Sequence, residues 1–178
     1  MRELFAQQTH PPFPTILTIL IKIPDICTNF CCMPATFQDN DITSGLKDKR
    51  KLSAYLDSLV HKHLEGIKKI KLNYIFCSDD YLLQINKQFL NHDTYTDIIT
   101  FDLSETEHNL TGEIYVSADR VKENAVKFGV SYQNELHRVI FHGTLHLCGF
   151  GDKKPADKQE MRKQEDACLA TYLDAATT

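Results

Sequence analysis

The chain has 178 residues, 42% of them hydrophobic, and a formal net charge of −4. Those values fit one soluble domain, or one domain plus a tail, with enough apolar material for a single core. They exclude the globally basic balance of a typical nucleic-acid binder, although not a local basic face.

Residues 1 to about 45 are rich in Pro, Thr, Cys and Asn and carry no sustained period. They read as an N-terminal extension ahead of a single domain over 46–178. Met33 stands just before the readable region, so it is expected to be the natural start, with 1–32 an upstream tail lacking stable packing. The apolar run from Phe13 to Pro24 contains Lys22 and is bounded by prolines. It is far short of the roughly 20 residues of a spanning helix, and no clear small-residue cleavage site marks it as a signal peptide. Cys27, Cys31, Cys32, Cys77, Cys148 and Cys168 form neither a disulfide framework nor a zinc-finger spacing. A reducing, cytoplasmic compartment is expected.

From Lys47 the pattern sharpens. Leu52, Tyr55, Leu56, Leu59, Val60 and Leu64 recur at helical spacing, predicting an amphipathic helix over 47–65. Its cations, with Lys68, Lys69 and Lys71 beyond, read as a solvated face. Ile70 to Cys77 alternates and predicts a strand. Ser78-Asp79-Asp80 caps a helix running to about Leu90. Asp97 to Leu103 and Glu113 to Ser117 are β-branched and apolar, predicting two strands joined by a polar loop over 104–112. Ala118 to Phe128 is a helix closed by Gly129, and Ser131 caps another that ends near Cys148 at Gly149. Pro155 opens the last helix, through Met161 and Leu169. The order αβαββααα implies an α+β or mixed α/β domain with a small sheet.

Chemistry concentrates in His142-Gly143-Thr144-Leu145-His146-Leu147-Cys148-Gly149-Phe150-Gly151-Asp152. On a helix, positions i and i+4 lie about 40° apart in azimuth and about 6 Å apart in rise, so His142 and His146 can face one cation. Gly149 then ends the helix, Gly151 loosens the turn, and Asp152 can return to the same point. Two imidazoles and one carboxylate leave a position open, as in catalytic zinc sites. A metal there would bring the pKa of its water toward about 7 and make a nucleophile. His142, His146 and Asp152 are thus the expected metal ligands and, through the metal and its water, the expected catalytic residues. Helical zinc proteases carry a glutamate directly after the first histidine; here that position is Gly143, which disfavours a peptidase.

His142-Gly143-x-Leu145-His146-Leu147-x-Gly149-Phe150 resembles the signature of the YbeY family of ribosomal RNA maturation endoribonucleases. Thr96-Asp97-Ile98-Ile99-Thr100-Phe101 and Gly112-Glu113-Ile114-Tyr115-Val116-Ser117 are similar to two further family strands. The resemblance covers about residues 47–173. It implies an α+β fold, with a small mixed sheet and about five helices, and a metal site on the penultimate helix and following turn. It also implies one divalent ion, most simply Zn2+, and single-strand-specific endoribonuclease activity in maturation of the small-subunit (16S) rRNA 3′ end and in ribosome quality control. The partners it implies are RNA and the small ribosomal subunit, with ribosomal proteins or assembly GTPases beside them, and no membrane.

Two positions depart from that pattern. The family's third histidine ligand corresponds to Asp152, itself a competent zinc ligand. A functionally important family arginine corresponds to Leu90. Lys87, His92, Lys153 and Lys154 are candidates to replace it at the substrate phosphate, and Arg138, one turn before His142, is another unless it pairs with an acid. Asp97 is expected to order the loop beside the site, and His137 to be structural. Two other readings stand beside the nuclease: a non-catalytic ribosome assembly factor with a structural metal, and a metallohydrolase of another substrate.

Overall fold

The computed structural model describes residues 33–174; the expectations for 1–32 lie outside the described residues. The elements are β1 (Ala35–Asp39), α1 (Lys49–His63), β2 (Lys69–Cys77), α2 (Asp79–Leu90), β3 (Ile98–Asp102), β4 (Asn109–Ser117), α3 (Ala118–Phe128), α4 (Tyr132–Leu147) and α5 (Pro155–Asp174). The strands form one mixed sheet in the order β1-β2-β4-β3. β2 pairs in parallel with both β1 and β4, and β3 closes the sheet antiparallel to β4. Five helices and a four-stranded mixed sheet give the α+β class expected from the sequence.

Alternation along the two central strands sorts their side chains between two apolar layers. Leu72, Tyr74 and Phe76 of β2, with Leu110, Ile114 and Val116 of β4, enter the main core with α1, α4 and α5. Cys77 and Ile99 face the other way, against Leu82 of α2. Burial pushes the Cys77 thiol up to about 12, so it behaves as a small apolar residue.

The helix ends follow the capping residues. Ser78 and Ser131 accept hydrogen bonds from the backbone N–H of Tyr81 and Asn134, as their positions predict, and Ser117 does the same for Arg120. Gly129 ends α3 at φ 67°. α1 is different: Asp48 precedes it in the left-handed region and makes no side-chain cap. Two residues of its cationic face hold the fold together. Lys49 donates to the carbonyl of Phe37, and Lys51 donates to that of Tyr172 and sits 4.7 Å from the Tyr172 ring centre.

Two expectations need correction. The segment before residue 46 is not wholly an extension: β1 belongs to the sheet, Ala35 is fully buried and donates its N–H to Ser53, and Phe37 stacks 5.3 Å from Tyr74. A five-residue edge strand with one fully buried position leaves almost no alternation to read. The polar loop over 104–112 is also shorter than expected. β4 begins at Asn109 because β2 offers partners back to Lys69.

α4 is the helix on which the site stands, and ten of its residues are buried. It lies close on the sheet at Gly143, where a Cβ would meet Ile98 Cδ1 at 2.8 Å, Ile114 Cγ2 at 3.1 Å and Thr100 Oγ1 at 3.2 Å. Beside it, the Tyr74 hydroxyl lies 2.6 Å from Thr144 Oγ1 and donates to the carbonyl of Ile140. The helix is therefore fixed to the sheet by both packing and hydrogen bonds.

Candidate metal centre

The last turn of α4 presents His142 and His146 on one face, and their Nε2 atoms are 2.9 Å apart. Beyond them a Schellman motif reverses the chain: Gly149 donates to the carbonyl of His146 and Phe150 to that of Leu145, with Gly149 at φ 92°. The reversal returns Asp152, whose Oδ2 stands 3.8 Å from His146 Nε2. One ligand atom from each of His142, His146 and Asp152 lies within 4.8 Å of the others. The three residues singled out by spacing do converge.

Each imidazole is also held from behind. His142 Nδ1 lies 2.8 Å from Oε1 of Glu165, a carboxylate from α5, and His146 Nδ1 lies 2.9 Å from the carbonyl oxygen of Phe150. Both Nδ1 atoms face acceptors, so both donate, and the lone pairs of both Nε2 atoms meet across 2.9 Å. That arrangement is unfavourable without a cation and suits one well. A backing carboxylate or carbonyl that fixes tautomer and ring orientation is the usual second layer of a histidine metal site. Burial, joined by the neighbouring His142, depresses the pKa of His146 more than Asp152 and Phe150 raise it, favouring the neutral ligand form.

Glu165 is the centre of a small ionic network. Its other oxygen accepts from Arg138 and Arg162, each at 3.2 Å, while Arg138 also reaches Asp166 at 2.6 Å. Burial pushes the Glu165 carboxyl up, but the bond from His142 and the Arg138 guanidinium outweigh it, so it ionises below the ordinary range. Arg138 thus pairs with acids, the role favoured for it over a phosphate contact. Asp97 accepts from Asn124 and takes a backbone bond from Ser117 through its carbonyl. His137 packs between Phe141 and Tyr172 with neither ring nitrogen partnered among the described residues.

A cleft of about 300 Å³ opens beside these three residues, lined among others by His142, Asp152, Asn124, Arg138, Lys158 and Arg162. Lys87, His92, Lys153 and Lys154 do not line it. Lys87 pairs with Asp93 at 2.7 Å, and the other three are exposed. Sequence reasoning missed Glu165, Lys158 and Arg162. A carboxylate 23 residues after His142 leaves no local signal, and the two cations share α5 with many other charges.

Gly143 gains a second meaning. Its α-carbon faces the sheet rather than the ligands, so a glutamate there could not reach the site. The general base of helical zinc proteases has no room at this position.

The fold and site define a class: an α+β protein whose penultimate helix and following turn bring together two histidines and an aspartate able to hold a metal ion. A family model described as Endoribonuclease YbeY matches residues 36–173. A relative from Cytophaga hutchinsonii named Endoribonuclease YbeY is 46% identical over 134 residues, which is 75% of this chain and 92% of the relative. Another of that name, from Bacteroides thetaiotaomicron, is 40% identical over 138 residues, 78% of this chain and 98% of the relative. The solution structure of a Thermotoga maritima protein superposes with a TM-score of 0.56 at 28% identity, covering 80% of this chain and 92% of that one. The chain belongs to the Endoribonuclease YbeY family.

Proposed function

We propose that the protein is a metal-dependent endoribonuclease whose divalent ion is held by His142, His146 and Asp152. The observation that carries this reading is the convergence of three ligand atoms within 4.8 Å, with both histidines anchored through Nδ1, in a chain whose relatives are named endoribonucleases. A divalent ion held there supplies Lewis-acid chemistry, polarising a phosphoryl oxygen and strengthening water as a nucleophile at neutral pH.

The chain's own groups do the rest. Glu165 and the Phe150 carbonyl hold the Nδ1 protons and keep Nε2 turned toward the ligand point. Lys158 and Arg162, exposed in the cleft wall, contact the RNA phosphates. Zinc as the ion, small-subunit rRNA 3′ ends as the substrate, association with the ribosome and a cytoplasmic location complete the proposal. They rest on the sequence resemblance, and Asp152 in the third ligand position keeps an N,N,O donor set suited to zinc.

A second reading has one observation in its favour. Leu90 is 42% exposed where the family pattern has an arginine, and the cation nearest to it in sequence, Lys87, is paired with Asp93. On that reading the protein assists ribosome assembly without cleaving, and the metal is structural. Elemental analysis of the full-length protein with its His146→Ala and Asp152→Ala variants, each assayed on single-stranded RNA, separates the two. One equivalent of metal lost together with cleavage supports the nuclease. Full metal without metal-dependent cleavage supports the assembly factor, and no metal in the parent refutes both.

A further inference from the structure

The cleft beside the ligands does not end at Arg162. A second cavity of about 310 Å³ shares Phe128, Glu135, Arg138 and Arg162 with the first and adds Val130 and Asp166, the latter already paired with Arg138. The two are neighbours, and their lining residues reach from His142 and Asp152 to Phe128 at the C-terminal end of α3. Phe128 is the last residue of that helix and is 49% exposed, with Val126 (84%) and Val130 (39%) exposed beside it. Two cations lie near the ring: Arg162 Cζ is 5.9 Å and Lys127 Nζ 5.6 Å from its centre.

An exposed phenylalanine with two cations near its ring, lining the cavity that also holds His142 and Asp152, offers what an unpaired nucleotide needs. A base stacks on the ring face, and its phosphate lies against the guanidinium. A base within a duplex is already stacked on both faces and cannot use such a platform. The cations are not all equivalent. Arg138 is tied to Glu165 and Asp166, whereas Arg162 makes a single bond to Glu165 with its side chain 55% exposed. Among the described residues Lys158 pairs with no acid. The first cavity is lined by four carboxylates and three cations, so a divalent ion at the ligand point reverses the sign of that balance in favour of a phosphate.

We infer that Phe128 is a base-stacking platform and Arg162 its phosphate contact, together forming a nucleotide subsite for single-stranded RNA next to the metal centre. The inference rests on the endoribonuclease reading. Phe128 acts here as a specificity-determining residue.

The test measures binding of a labelled, cleavage-resistant 2′-O-methyl phosphorothioate single strand to the full-length protein by fluorescence anisotropy across a salt series. Phe128→Ala should weaken binding by about 5- to 150-fold, the range for loss of one base–aromatic stack, with the salt dependence unchanged. Phe128→Trp should keep the affinity. Arg162→Gln should weaken binding and reduce the slope of log affinity against log salt by about 1. Thermal melting checks the fold, and Phe128→Leu, which keeps apolar bulk without a π face, replaces the alanine variant if that variant is unfolded. Parent-like affinity in Phe128→Ala or Phe128→Leu overturns the inference, as does loss of affinity in Phe128→Trp. A change of oligomeric state by size exclusion with RNA affinity intact assigns the patch to self-association and overturns it too. A parent that binds no single-stranded RNA refutes the endoribonuclease reading together with the subsite, whereas a parent that binds but ignores Phe128 refutes the subsite alone.

Discussion

Glu165→Gln changes one atom at the network behind His142, and its consequences can be worked from the structure. The carboxylate is nearly buried, at 8% side-chain exposure, with Oε1 on His142 Nδ1 and Oε2 on Arg138 and Arg162. Glutamine can still accept from His142 through its carbonyl oxygen, so the ring need not turn. It cannot neutralise the two guanidinium groups, and its NH2 would face them. Arg138 keeps Asp166 at 2.6 Å, so the network weakens without leaving a buried charge alone. The metal-free protein should therefore lose about 1–3 kcal/mol, the range for a disrupted buried hydrogen-bond partner. Loss of the charge behind the imidazole lowers the basicity of its Nε2, and such changes cost about 10- to 100-fold in metal affinity. That corresponds to roughly 1.4–2.7 kcal/mol. Competition against a chromogenic chelator measures the affinity, and thermal melting with and without chelator separates it from stability. Metal affinity within about twofold of the parent would refute the account in which the Glu165 charge strengthens His142 as a ligand.

Gly143→Ala sets two effects against each other. Alanine favours an exposed helix interior by about 1 kcal/mol, but its Cβ would enter contacts of 2.8 Å and 3.1 Å with Ile98 and Ile114, and overpacking costs about 1–3 kcal/mol. Urea denaturation should show net destabilisation; a more stable variant would mean that α4 is not tightly seated on the sheet. His137 gives a pH dependence of definite sign. Burial holds its pKa below the ordinary value, so the unfolded chain binds the proton first. Its contribution to stability is complete above the unfolded value of about 6.5 and is lost as pH falls from there toward the depressed folded value. His137→Phe should flatten the fall in melting temperature between pH 7 and 5 relative to the parent, and an unchanged profile would show that the histidine is already paired.

The convergence of His142, His146 and Asp152 was legible because its geometry is encoded locally: an i, i+4 pair, a glycine that ends the helix and an acid just past the turn. The helix caps at Ser78, Ser131 and Gly129 were legible for the same reason, each being a residue type with one strong local preference. β1 was not, because a short edge strand gains its order from β2 rather than from its own pattern. Glu165 was hidden because its role exists only once α5 lies against α4. Gly143 was read for what it lacks, a carboxylate, whereas its function is to let the helix approach Ile98 and Ile114. Arg138, one turn before His142, has the acid partners expected of it, but which acids could not be read, because the distant α5 contributes them.

The backing of His142 by Glu165 also joins two helices. Asp152 and His146 span the turn between α4 and α5, and Glu165 ties the second helix to the first ligand. A bound ion would therefore act as a clasp on the C-terminal quarter of the chain. At a free concentration of about 1,000 times its dissociation constant it would add about 4 kcal/mol to stability, concentrated where α5 docks. Amide exchange in α5 would then slow on loading more than exchange in β2 or β4. Protein that had not acquired its ion would expose that helix first, so that proteolysis could distinguish loaded from unloaded molecules.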